Sequence, residues 1–303
     1  MDTITTVAEL DRQFGMPGVA EVCEGNGVLP RVQISHPCVE GEMYLYGAQV
    51  TSWKPAGYDE LLFVSSKSHW QEGLAIRGGI PICFPWFRAK ADDPQAPAHG
   101  FVRTKMWQLE SIIENEGGVA ISMFTESDEQ TRHTWPGEFR LTHRVMFGRE
   151  LSMELVCTNT GTTPLRFEEA LHTYNRVADI RQTRLTGLDT MHFLDNTDSN
   201  KEKTQLNDVT IATQTDNAYL NTQNAVDLID LKSQRRIRLL KTNSNNTVVW
   251  NPWREGTAKI RDLGGEEWTE FLCVEASNIR DAAFTLPPGQ EHKMTAILSV
   301  EKL

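Results

Sequence analysis

The residues best suited to chemistry in this 303-residue chain are a glutamate and a histidine, each on a strand-like run. In Phe271-Leu272-Cys273-Val274-Glu275-Ala276 an extended backbone puts Phe271, Cys273 and Glu275 on one face. Leu272, Val274 and Ala276 occupy the other. Both faces are apolar, so the strand reads as covered on both sides. A carboxylate placed there must be paired, protonated or lining a cavity. The alternative is a strand-end glutamate bending out to solvent ahead of Ser277-Asn278. In Phe167–Asn175, His172 shares a face with Ala170 and Tyr174. A lone histidine on a strand is more often a hydrogen-bonded structural residue than a catalyst. In the company of Glu275 it becomes one half of a general acid/base pair.

Two further segments carry cations. Ile76-Arg77-Gly78-Gly79-Ile80-Pro81-Ile82-Cys83-Phe84-Pro85-Trp86-Phe87 sets Arg77 beside two glycines that permit close backbone approach and two prolines that stiffen the loop. Arg77 could bind an anion there, although the spacing is not that of a P-loop. Ala98-His99-Gly100-Phe101-Val102-Arg103 adds a second arginine and another histidine; its plainer reading is a turn with a solvated arginine. Trp53, Trp86, Trp250 and Trp253 offer sugar-stacking surfaces or core bulk. The eight histidines form no HxH or HExxH pair, and no Cys/His set has zinc spacing. There is no GxSxG elbow and no dinucleotide fingerprint. Neither a metal nor an organic cofactor is expected.

The elements that must position these residues are strands. Leu141, His143, Val145 and Phe147 alternate, Gly148-Arg149-Glu150 turns, and Leu151, Met153, Leu155 and Cys157 alternate again, which predicts a hairpin. Period-two patterning also predicts strands over 42–53, 118–125, 164–177, 235–241, 247–250, 270–276 and 291–300. Helices are expected only at 7–14 and 128–135, the second closed by Pro136-Gly137. No alternation of strand and helix suggests parallel units, and no linker divides the chain. The expected architecture is all-β, one domain over 1–303 built as a large sandwich of antiparallel sheets.

Composition narrows the function. Thirty Lys+Arg against 41 Asp+Glu leave a net charge of −11, which argues against a broad footprint for nucleic acid or anionic membrane. An anionic small molecule stays compatible if a few arginines gather locally. No run of 18 apolar residues is present, and MDTITTVAELDRQFG lacks the apolar core of a secretory signal. The five cysteines are odd in number, widely spread and without a CxxC pair, and Cys157 and Cys273 read as buried free thiols. A cytoplasmic protein is expected.

Taken in order, GAQVTSWKPAG (47–57), AIRGGIPICFPWF (75–87), AHGFVR (98–103), ALHTYNRVADI (170–180), VVWNPW (248–253), FLCVEAS (271–277) and LPPGQ (286–290) resemble the bacterial hexose-6-phosphate mutarotases. These are a branch of the aldose 1-epimerase, or galactose-mutarotase-like, superfamily. The resemblance implies a β-supersandwich with a sugar site on its concave face. It implies that His172 and Glu275 are the catalytic pair and that Arg77 and Arg103 bind the phosphorylated sugar. Asp195 matches a substrate-binding aspartate downstream of Gly187-Leu188, though Thr190-Met191-His192 departs from the family pattern. His99 matches a further contact, and Ala98 stands where some members carry Gln. In the implied reaction an ionised Glu275 takes the C1 hydroxyl proton while a protonated His172 gives one to the ring oxygen.

The expected ligand is a hexose phosphate, best glucose 6-phosphate, with no nucleic-acid or membrane partner and the chain acting as a monomer. Two other readings stand beside this one. They are a non-catalytic sugar or sugar-phosphate binder on the same fold, and a mutarotase for unphosphorylated aldoses. A two-carboxylate glycosidase is disfavoured, since one carboxylate and one histidine stand out rather than a carboxylate pair.

Overall fold

The computed structural model describes residues 6–303, so the first five residues of the acidic N-terminus discussed above lie outside it. Among the described residues, strands form a nine-stranded antiparallel sheet, an eight-stranded sheet and a four-stranded N-terminal sheet, with a short ribbon pairing Leu165–Phe167 to Phe284–Leu286. The α-helices are short: Val7–Phe14, Glu129–Thr134 and Trp253–Thr257. Asp128 caps the second of these by accepting from the Thr131 amide. No helix among the described residues is long and apolar enough to cross a membrane.

The nine-stranded sheet contains the hairpin read from alternation, with Phe147 opposite Leu151 and Phe139 opposite Asn159. Its inward row (Leu141, Val145, Met153 and Leu155) is fully buried. Each such side chain contributes roughly 1.5–3 kcal/mol of burial. Against this row pack Leu171, Val249, Leu272, Val274 and Ala276 from one face of the eight-stranded sheet. A buried hydrogen-bonded contact also links the two sheets: His292 Nε2 lies 2.7 Å from Glu169 Oε1. The four-stranded sheet joins the same core through Trp53, whose indole donates to the Gly148 carbonyl.

Two expected strands are interrupted. The 42–53 run is two strands, Val39–Tyr44 and Gln49–Pro55, folded back at Leu45–Ala48, where Gly47 and Ala48 take positive φ. The 164–177 run is three pieces, Leu165–Phe167, Glu169–Leu171 and Tyr174–Arg176. Period two persists through a short break, so alternation alone does not reveal it.

Candidate active site

The eight-stranded sheet has one face in the core and one on a cavity, and pairing register decides which side chains share the cavity face. Leu171 pairs with Ala276 and Tyr174 with Cys273. Continuing that register across the break sets His172 opposite Glu275. Val248 pairs with Glu275, Trp250 with Cys273, and Asp216 with Trp250. Opposite residues point the same way. His172, Glu275, Val248, Trp250 and Asp216 therefore line one cavity of about 260 Å³, joined by Arg77, Phe87, Arg88, His99 and Asn196.

The break at His172 is held from both sides. The His172 amide donates to the Pro81 carbonyl and the Tyr174 amide to the Gly79 carbonyl, so the IRGGIP loop is stitched to the strand it flanks. On its other side the loop lies against Val50, where the Ile80 amide donates to the Val50 carbonyl, and there glycine is required. A Cβ on Gly79, whose φ is +62°, would meet the Val50 carbonyl oxygen at 2.2 Å. A Cβ on Gly100 of the HGF turn would meet the Phe84 carbonyl oxygen at 1.8 Å, and this close turn brings His99 against the same cavity.

His172 Nε2 stands 3.4 Å from Glu275 Oε1, and both side chains are buried. The imidazole stacks on Tyr174 at 4.8 Å and meets Trp250 edge-on at 5.8 Å. Glu275 is 1% exposed, which decides against a strand-end glutamate turned to solvent. Among the described residues Glu275 Oε2 and His172 Nδ1 are buried without hydrogen-bond partners. Such an orphaned group costs roughly 1–3 kcal/mol unless something bound in the cavity satisfies it.

Burial sets the charge of the pair. It pushes the Glu275 carboxyl well above the usual range; Asp216 adds to the rise, and Arg88 and Arg103 oppose it. Burial, then Arg103 and Arg77, pull His172 down to about 3. Both shifts favour the uncharged forms, a carboxyl beside a neutral imidazole, over the charged ones. The resemblance implies an ion pair, and desolvation in so enclosed a site works against it. The number of protons is the same in either arrangement: one, shared between two groups.

The same burial has a consequence for stability. His172, and the fully buried His143 whose Nδ1 faces the Ala48 carbonyl 3.0 Å away, are held neutral, the latter with its pKa at about 4. A depressed histidine contributes stability present above its ordinary pKa of 6.5 and lost as pH falls through the folded value. For His143 the window is 6.5 to about 4, on the order of 3 kcal/mol. Thermal melting should therefore fall steadily below pH 6.5, and less steeply in His143→Gln. An identical acid slope in that variant would remove His143 from the explanation.

The two arginines expected to bind anion differ. Arg77 is committed: its Nε and Nη2 donate to Asp262 at 3.1 Å each, and Nη1 donates to the Tyr174 hydroxyl at 3.2 Å. Arg103 donates to the Ala98 carbonyl at 2.8 Å and has no carboxylate partner among the described residues. Burial lowers its pKa, and its charge bears on both His99 and His172. Arg103 is not among the residues lining the 260 Å³ cavity. His99 is: its Nδ1 accepts from the Arg88 amide at 3.3 Å, which leaves the proton of a neutral ring on Nε2.

Asp195 is not among the cavity-lining residues. Its carboxylate accepts from Lys203 at 2.7 Å and from the Thr197 amide at 2.9 Å. The aspartate that does line the cavity is Asp216, bound to Arg88 and, at 2.6 Å, to the Asn196 amide group. Of the four tryptophans considered, Trp250 alone lines the cavity. Trp53 is core, Trp86 donates to the Pro97 carbonyl, and Trp253 packs on Trp268.

A family model described as aldose 1-epimerase matches residues 30–299. The chain belongs to the aldose 1-epimerase family. Among similar members, an Escherichia coli K12 protein named "Putative glucose-6-phosphate 1-epimerase" is 34% identical over 82% of this chain and 83% of its own length. A Salmonella typhimurium protein of the same name is 33% identical over 82% of each chain. The crystal structure of a Salmonella typhimurium "putative mutarotase" superposes with a TM-score of 0.86 at 30% identity, covering 94% of this chain and 97% of the other. A galactose mutarotase related enzyme from Lactobacillus acidophilus, 14% identical, shares the fold, with a TM-score of 0.73 over 90% and 97% of the two chains. The architecture is therefore galactose-mutarotase-like, and the chain is an epimerase of this family.

Proposed function

We propose that this epimerase interconverts the α and β anomers of glucose 6-phosphate, with His172 and Glu275 as its acid/base pair and Arg103, aided by Arg77, holding the phosphate. The observation that carries the reading is a buried His–Glu pair 3.4 Å apart, under the field of Arg103, which has no carboxylate partner among the described residues. A phosphate dianion supplies that partner, since guanidinium binds phosphate bidentately. The names of the Escherichia coli and Salmonella relatives support the same substrate. The enzyme is one domain that acts as a monomer, and five free thiols support a reducing, cytoplasmic setting.

The charge state of the pair follows from the substrate. The C1 hydroxyl of a bound sugar donates to Glu275 Oε2, which has no other partner among the described residues, and a hydrogen bond to the carboxylate favours its ionised form. The shared proton then moves from Glu275 to His172. Ionised Glu275 takes the C1 hydroxyl proton as the C1–O5 bond breaks, and His172 gives its proton to O5. Rotation about C1–C2 exposes the other carbonyl face, O5 attacks C1, and both transfers reverse. Each transfer contributes about 10²–10⁴ in rate.

The test is relaxation of freshly dissolved α-glucose 6-phosphate, followed by polarimetry or NMR with purified protein. No acceleration above buffer would overturn the assignment. Arg77→Ala should weaken phosphosugar binding and also lower the melting temperature, because it strands Asp262 beside the Tyr174 hydroxyl. Equal activity losses on glucose and glucose 6-phosphate would make Arg77 purely structural.

A further inference from the structure

Beyond Phe87, Arg88 and Asn196, which it shares with the acid/base cavity, lies a groove of about 690 Å³ also bordered by Lys90, Arg166 and Arg280. Its acidic lining is already committed. Both oxygens of Glu168 accept backbone amides, Phe87 at 2.7 Å and Arg280 at 2.5 Å, and Asp92 is bound to Lys90. Among the described residues Arg166 and Arg280 have no carboxylate partner; the Arg280 guanidinium is held by Asn200 Oδ1.

The backbone adds an independent observation. Arg88 and Arg280 sit at φ +62° and +58°, the left-handed region where a side chain costs roughly 1–2 kcal/mol relative to glycine. Either turn could be made by glycine at lower cost. Arginine at both delivers two guanidinium groups to one groove, from two segments that Glu168 pins together.

We propose that this groove is a second anion subsite, which receives a phosphoryl group carried on C1 of a hexose 6-phosphate. The inference rests on the reading above, in which Glu275 faces the C1 oxygen. Glu275, Asp216 and Arg88 share one cavity, and Arg88 belongs to both spaces. A substituent on that oxygen therefore extends past Arg88, which Asp216 already holds, into the groove, where the dianion meets Arg166 and Arg280. With O1 esterified there is no hydroxyl proton for Glu275 to take, so the ligand binds and is not turned over. C1-phosphorylated hexose 6-phosphates are thus competitive inhibitors of anomer exchange.

The experiment uses the full-length protein with glucose 1,6-bisphosphate as probe. Its affinity is read by calorimetry and its inhibition by the exchange assay. The bisphosphate should bind at least about tenfold more tightly than glucose 6-phosphate, the gain of one or two charge-assisted hydrogen bonds. The double variant Arg166→Ser/Arg280→Gly should lose that gain while its affinity for glucose 6-phosphate changes less than about twofold. Glycine at 280 relieves the left-handed backbone, so misfolding is not built into the test. Weaker binding of the bisphosphate than of glucose 6-phosphate, or an undiminished gain in the double variant, would overturn the subsite. If glucose 6-phosphate fails to exchange while the bisphosphate still binds through Arg166 and Arg280, the subsite stands and the earlier assignment of the reaction falls.

Discussion

Glu275→Gln should slow catalysed exchange of glucose 6-phosphate anomers by about 10²–10⁴-fold while leaving the fold intact. The side chains are nearly isosteric, so the packing of Val248 and His172 against position 275 is preserved. What disappears is the only group of the pair able to become an oxyanion base. The stability readout should move the other way. Burial raises the Glu275 pKa, so its contribution is fully present below the ordinary value of 4.5 and is lost as pH rises towards the folded one. An amide does not ionise, and the variant should melt at the same or a higher temperature above pH 6, measured without substrate. A variant that keeps its activity would remove Glu275 from the chemistry. One that loses activity and melts far lower would show that the carboxyl is structural. His172→Ala should lose exchange to a similar extent.

Arg103→Met separates binding from chemistry. Loss of a charge-assisted phosphate contact worth roughly 1.5–3 kcal/mol should raise KM for glucose 6-phosphate by about 10–100-fold, with little change towards free glucose. The same substitution removes a half-buried cation that has no carboxylate partner among the described residues, so the protein without substrate should melt at the same or a higher temperature. It also lifts one of the two charges that depress His172, so the histidine of the free protein should titrate at higher pH by NMR. Arg77→Ala should do the opposite to stability, because Arg77 is already paired with Asp262. Similar melting shifts in the two variants would contradict the distinction drawn between them.

Much of this was legible in strand alternation. Apolar residues on both faces of 271–276 declared a doubly covered strand, and a glutamate inside such a strand has few physical options. The hairpin at 139–159 and the helix closed by Pro136-Gly137 were legible for the same reason: their contacts are local. The motif order carried His172, Arg77, Arg103 and His99 through resemblance.

Asp216 and Arg88 escaped, for different reasons. Asp216 reaches the cavity through pairing with Trp250, 34 residues later in the chain, and nothing beside it in sequence signals that. Arg88 directly follows the Phe84-Pro85-Trp86-Phe87 run, but its role depends on a left-handed backbone and on Glu168, 80 residues away. Asp195 drew notice by its place after a Gly-Leu pair, whereas its carboxylate closes a local turn with Thr197 and Lys203.

By itself, then, the sequence determined that the fold is all-β and which residues have the chemical capacity to exchange protons and bind an anion, because side-chain period and residue type are local properties. Tertiary structure alone decided their state. Register set His172 opposite Glu275, burial shifted both towards their uncharged forms, and Asp262 committed one arginine while the other has no carboxylate among the described residues. Those outcomes depend on desolvation and on partners distant in the chain, and neither is written in any short stretch of residues.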